Sequence, residues 1–200
     1  GRAPSLLGCG PSDVFSSEWE IIAKFRTPLQ KEQWLAPLLD GEIRSCLAMT
    51  EPWVASSDAT NISSGITADG DDYVINGHKW FTSGAMDPRC KVAVFMGVTD
   101  PKADAHRRQS MILVPMDAPG VTVVRGLPVF GHSEGGGHGE TLWENVRVPK
   151  ESLLGEEGGG SVGPALVAKG LKRLAGADLV EEAPFGRHRR AFAHQDGDLG

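Results

Sequence analysis

Two short runs concentrate the residues able to hold a polar or planar ligand. The first is Leu47-Ala-Met-Thr-Glu-Pro-Trp-Val-Ala-Ser-Ser-Asp58. A strand reaching Thr50 is stopped by Pro52. Ala55, Ser56, Ser57 and Asp58 then cluster where the backbone turns. Such a loop offers N–H groups and hydroxyls to a polar ligand. These residue types also favour turns for their own sake, so an ordinary strand–turn connection fits as well.

The second run is Tyr73-Val-Ile-Asn-Gly-His-Lys-Trp-Phe-Thr-Ser-Gly84. Asn76-Gly77 is a hairpin signal. Two adjacent aromatics and two hydroxyls follow. On a regular strand Trp80 and Phe81 point to opposite faces, one toward the core and one free to lie against a planar ligand. Two ordinary sheet aromatics would look the same.

The elements that must position these runs are legible in the patterning. Trp19, Ile22 and Phe25 share one helical face. Thr27, Pro28 and Gln30 form a capping-box start, and Trp34, Leu35, Leu38 and Leu39 make an apolar stripe. Pro37 is expected to bend or shorten this helix, and Gly41 to end it. From Ile43 the texture becomes β-rich. Short strands are expected at Ile43–Met49, Ser64–Ala68, Tyr73–Asn76, Lys79–Thr82, Lys91–Val98, Ser110–Met116, Val121–Arg125 and Glu140–Val148. Asp69-Gly70, Asn76-Gly77, Asp100-Pro101 and Ala118-Pro119-Gly120 separate them as turns. The fold class expected is α+β: an antiparallel β-barrel or sandwich preceded by the remnant of an all-α layer. After Gly155 one helix is expected at Ala165–Leu174, and 176–200 is rich in Ala, Gly, Arg, His and Asp.

Composition narrows the class. The chain has 200 residues and a net charge of −6, from 20 basic and 26 acidic residues. An acidic balance argues against nucleic acid as a partner. The longest apolar runs, such as Met111–Pro115, are too short to span a bilayer, so a soluble chain is expected. Cys9, Cys46 and Cys90 are widely spaced, which argues against a zinc cage and for a reducing compartment.

Three features imitate sites. Gly158-Gly-Gly-Ser-Val-Gly163 has dinucleotide-fingerprint spacing, but no proper strand precedes it and Glu156 and Glu157 would repel a pyrophosphate. It reads as a linker. His132, Glu134, His138 and Glu140 lie in a glycine-rich stretch that reads as a solvated turn, so no metal is expected. The basic run Arg187–Arg190 reads as solvated.

Taken together the two runs resemble the acyl-CoA dehydrogenase family. Thr-Glu-Pro-x-x-Ala-Ser-Ser-Asp is followed about 15 residues later by Tyr-Val-Ile-Asn-Gly-x-Lys-Trp. The wording Val54-Ala-Ser-Ser-Asp-Ala-Thr-Asn61 is similar to the branch known as family members 10 and 11. Thr27–Gly41, Ser110–Pro119, Gly137–Glu140 and Val146–Pro149 extend the resemblance over roughly Trp19 to Gly155. It implies a flavoenzyme that removes the α-proton of an acyl thioester while hydride passes from the β-carbon to FAD.

By resemblance Leu47, Met49, Thr50, Ser56, Ser57, Phe81, Thr82 and Ser83 bind FAD, and Ser57 also touches the acyl-CoA. Relatives usually carry Trp where Phe81 stands, and Trp53 fills a loop position that is often small or polar. The resemblance implies three parts. Residues 1–41 are a remnant of the N-terminal helical domain, 42–155 the middle β-domain, and 156–200 a divergent tail. No catalytic residue is assigned: the family's Glu base and C-terminal helical bundle have no recognisable counterpart, so a truncated, spliced or frame-shifted fragment, inactive alone, is expected. Fatty-acid β-oxidation, an electron-accepting flavoprotein, homo-oligomers and a mitochondrial or peroxisomal address come with the family. No targeting segment is visible, which otherwise leaves the cytoplasm. The alternatives are a non-catalytic β-module acting in subunit association and an acyl-CoA oxidase-like flavoprotein.

Overall fold

A computed structural model describes Ile22 and residues 27–56, 58–128 and 137–160. The Thr27 capping box forms: its side chain accepts from the Gln30 N–H, and the Gln30 side chain accepts from the Thr27 N–H. The helical segment then runs as α1 (Pro28–Gln30), a π-helical turn (Lys31–Leu35) and α2 (Ala36–Leu39). Pro37 supplies the reason for the π turn. Its ring crowds the carbonyl four residues back, and it has no N–H to give. Gly41 at φ +75 ends the segment. Its N–H bonds the Leu38 carbonyl, and the Glu42 N–H reaches that of Pro37, closing a Schellman motif.

Seven strands follow: β1 (Arg44–Ala48), β2 (Gly65–Asp69), β3 (Asp72–Ser83), β4 (Cys90–Val98), β5 (Gln109–Pro115), β6 (Val121–Leu127) and β7 (His138–Pro149). They form one sheet in the order β1-β4-β2-β3-β7-β6, with β5 on β4. Most pairings are antiparallel, as expected; β4 runs parallel to β1 and to one residue of β2. Among the described residues no helix is long and apolar enough to cross a membrane.

The period-2 alternation of the central strands sorts the core into two clusters. Ala93 and Phe95 of β4 join Ile112 and Val114 of β5, with Ile75, Trp143 and Val146, on one face. Val92, Val94, Met96, Met111 and Leu113 point the other way, where Trp34, Leu35 and Leu38 of the helical segment cover them. Leu47 and Met49 pack against this second cluster, while Cys46 and Ala48 belong to the first.

Three sequence expectations change. Asn76-Gly77 is not a hairpin turn; it lies inside the continuous strand β3, where the register against β7 shifts between Ile75 and Gly77. The Asn76 side chain accepts the Asn145 N–H at 2.9 Å, so the pair builds a bulge across two strands. The hairpin is instead at Gly70-Asp71 between β2 and β3, with Gly70 at φ +62.

Secondly, Trp80 and Phe81 do not alternate across the sheet. A second register shift, between Lys79 and Thr82, falls on them. Lys79 and Thr82 are buried in their place.

Thirdly, Gly158–Gly160 is not a free linker. The Gly158 N–H bonds the Ser110 hydroxyl, and the Gly160 N–H bonds the Gln109 carbonyl. Tyr73 donates to Glu157 at 2.5 Å, and burial together with that carboxylate pushes the phenol up to about 12. The expected helices at Trp19–Phe25 and Ala165–Leu174 lie outside the described residues, apart from Ile22, which is helical and buried.

Candidate functional site

The two runs lie side by side. The Trp80 N–H donates to the Thr50 carbonyl at 3.0 Å, so the end of β1 is stitched to β3 at its bulge. The bulge holds Phe81 at φ +47, a left-handed conformation that a bulky residue rarely takes. Phe81 is 42% exposed. Its ring meets Trp80 edge-on at 5.0 Å and His138 at 6.3 Å. Ser83, two residues on, shares a 2.7 Å hydrogen bond with the His138 Nδ1. Strain of this kind gathers at ligand clamps, because the surrounding structure must maintain it.

A buried ion pair underlies the run. Lys79 Nζ stands 2.7 Å from Glu51 Oε1, with both side chains inside the protein. Its other two donors go to the carbonyls of Met49 at 3.0 Å and Met96 at 2.7 Å. Glu51 accepts in addition from the N–H and hydroxyl of Ser63 and the N–H of Ser64. Burial raises the Glu51 carboxyl, but the Lys79 charge and these hydrogen bonds outweigh it and bring the group down to about 2. Burial lowers the Lys79 ammonium to about 8 despite Glu51. The pair braces the loop; its atoms are committed to the fold.

Each expected site residue can now be placed. Thr50 is half-buried beside the bulge, and its carbonyl is already bonded. Leu47 and Met49 turn their side chains toward the helical segment. Ser56 is buried; its hydroxyl donates to the Glu51 carbonyl and accepts the Glu51 N–H. Ser57, expected to touch both FAD and the acyl-CoA, lies outside the described residues. Thr82 is sealed inside with its hydroxyl unbonded among the described residues, so only its backbone faces outward chemistry. Phe81 and Ser83 remain at the surface of the site.

Sequence reading missed two things here. Glu51 and Lys79 stand inside the two runs but draw no attention separately; only their convergence makes them the brace. His78, Glu140, Arg125 and Trp53 form a second connected group. Trp53 Nε1 donates to His78 Nδ1 at 3.2 Å, and His78 Nε2 lies 2.8 Å from Glu140 Oε1. Arg125 Nε donates to Glu140 Oε2 at 2.6 Å, and together with His78 it holds that carboxyl below its ordinary value. No group of three or more metal-ligating side chains occurs among the described residues.

The residues present suit a flavin. An exposed aromatic ring sits at a strained bulge, with Ser83 two residues on and the Thr50 backbone tied to the bulge by the Trp80 N–H. A planar ring system needs an apolar face and a few fixed polar groups at its edge.

Comparison with known proteins gives the family. The family model for the acyl-CoA dehydrogenase middle domain matches residues 46–146. A Mycobacterium tuberculosis protein named "Probable acyl-CoA dehydrogenase FadE2" is 53% identical over 197 residues, covering 96% of this chain and 48% of that protein. Mouse acyl-CoA dehydrogenase family member 10 is 56% identical over 153 residues, covering 76% of this chain and 14% of that protein. The chain thus spans about half or less of these relatives. Among solved structures, an acyl-CoA dehydrogenase from Geobacillus kaustophilus aligns with TM-score 0.68 at 34% identity, covering 82% of this chain and 42% of that one. Butyryl-CoA dehydrogenase from Megasphaera elsdenii aligns with TM-score 0.69 at 27% identity, covering 78% and 39%. The match of residues 46–146 to the family model and the 53% identity to the mycobacterial relative make this chain a member of the acyl-CoA dehydrogenase family, of which it carries the middle β-domain.

Proposed function

We propose that this chain supplies the flavin-facing side of an FAD-dependent acyl-CoA dehydrogenase of fatty-acid β-oxidation. When bound, FAD would supply the hydride acceptor. The chain's own part is to bind and orient. Phe81 offers the ring its apolar face, and Ser83 and the bulge backbone offer polar contacts at the edge. Thr50, fixed through Trp80, holds the neighbouring wall. The strained, exposed Phe81 carries this reading. No carboxylate among the described residues is placed as the α-proton base, so the chain is read as inactive alone. The whole protein would deliver electrons to a flavoprotein acceptor, assemble with copies of itself, and work in mitochondria or peroxisomes.

The test is a titration of the chain with FAD, followed by flavin fluorescence and visible absorbance. Phe81→Trp is expected to keep binding and Phe81→Ala to weaken it tenfold or more. Unchanged affinity in Phe81→Ala would remove the aromatic contact from the proposal. A colourless chain that never binds FAD would favour the second reading, a β-module acting in association. That reading draws on the exposed Leu29, Leu39, Val123 and Val124.

A further inference from the structure

Trp53 stands on the loop between β1 and β2 with 81% of its surface in water. It is nevertheless held. An indole nitrogen can only donate, so His78 Nδ1 is the acceptor and the His78 proton sits on Nε2, facing Glu140. Glu140 is fixed in turn by Arg125. This chain of contacts joins the loop to β3, β7 and β6. The Trp53 and His78 rings meet edge-on, centroids 6.2 Å apart at 60°. The indole's one polar atom is therefore used, while its face stays open. A face without a donor recognises its ligand by stacking, and a flat aromatic ring suits it best. The exposed Arg125 guanidinium at the far end of the chain suits a phosphate.

We propose that Trp53 is a stacking platform for the adenine ring of the CoA thioester, a proposal that rests on the acyl-CoA reaction above. FAD also carries an adenine. CoA carries beside its adenine a 3′-phosphate that FAD lacks, and the exposed Arg125 guanidinium suits that group.

The 200-residue chain is titrated with adenosine 3′,5′-bisphosphate (the nucleotide end of CoA), AMP (that of FAD) and pantetheine, following tryptophan fluorescence. The bisphosphate is expected to quench emission and to bind more tightly than AMP. Trp53→Ala should abolish this quenching and raise the Kd roughly 5- to 150-fold, the span of base–aromatic stacking. Trp53→Phe should keep most of the affinity. His78→Phe, which releases the indole, should weaken bisphosphate binding with Trp53 still present. Pantetheine should not respond to either residue. Trp53 is exposed, so its variants should unfold within about 3 °C of the parent. Trp53→Ala or Trp53→Leu binding the bisphosphate as tightly as the parent would overturn the proposal, as would AMP binding more tightly than the bisphosphate. FAD titration of the same proteins separates the two readings. Bisphosphate binding through Trp53 without any FAD binding would sink the flavin reading and leave the platform; FAD binding with no bisphosphate response would sink the platform alone.

Discussion

Lys79 and Glu51 meet at 2.7 Å with 0% and 3% of their side chains exposed, and every ammonium donor of Lys79 is taken. One side chain thereby ties the loop after β1 to β3 and β4. Removing one member leaves the other charged and buried. Glu51→Gln is expected to lower the unfolding free energy by about 3–5 kcal/mol. Denaturant unfolding checks this; a loss near zero would show that the pair holds nothing.

The same carboxylate should make stability depend on acid. Its folded value of about 2 lies below the ordinary 4.5. Between those values the unfolded chain binds a proton that the folded one refuses. The contribution of Glu51 is therefore full above about pH 4.5 and disappears as pH falls through about 2. Unfolding midpoints of the parent and Glu51→Gln should converge across that window. Parallel curves would contradict the linkage.

Gly77 tests the bulge. A Cβ there would lie 2.3 Å from Ser64 Oγ and 2.7 Å from Ser64 Cβ, whereas one at Gly65 would meet nothing within 4 Å. Gly77→Ala should cost about 1–3 kcal/mol, and Gly65→Ala almost nothing. A turn at Asn76-Gly77 would have left that Cβ in solvent, so equal stabilities would restore the hairpin.

Gly158 tests the docking of the glycine-rich segment. It has φ +75, and a Cβ would stand 2.6 Å from the Arg107 carbonyl oxygen, which is backbone and cannot step aside. Gly158→Ala should lose about 1–3 kcal/mol and expose the segment to protease. Cleavage at the parent's rate with unchanged stability would mean that the segment is a free linker.

Phe81 separates strain from binding. Phe81→Ala and Phe81→Gly both lose the ring, but only glycine accepts φ +47 without penalty. The glycine variant should be the more stable by about 1 kcal/mol. Both should lose FAD affinity alike. Equal stability of the two would show that the bulge relaxes.

What the sequence determined by itself is what neighbours along the chain decide. The Thr27 capping box, the stop at Gly41 and the turn at Asp69-Gly70 formed as expected, since each depends on φ preferences and hydrogen bonds within a few residues. The β-rich runs at Lys91–Val98 and Ser110–Met116 likewise foretold strands, which form as the buried β4 and β5. The adjacency of the two ligand runs came only from resemblance. Tertiary structure decided the rest. Asn76-Gly77 has the local preference of a turn, yet the long ladder between β3 and β7 runs across it, and many pairings outweigh one dipeptide's propensity. The bulge that exposes Phe81, the partnership of Glu51 with Lys79, and the fastening of Trp53 to His78 all join residues far apart in the chain. No local pattern encodes them. They exist because folding brings a loop against a strand and leaves their polar atoms no better partner.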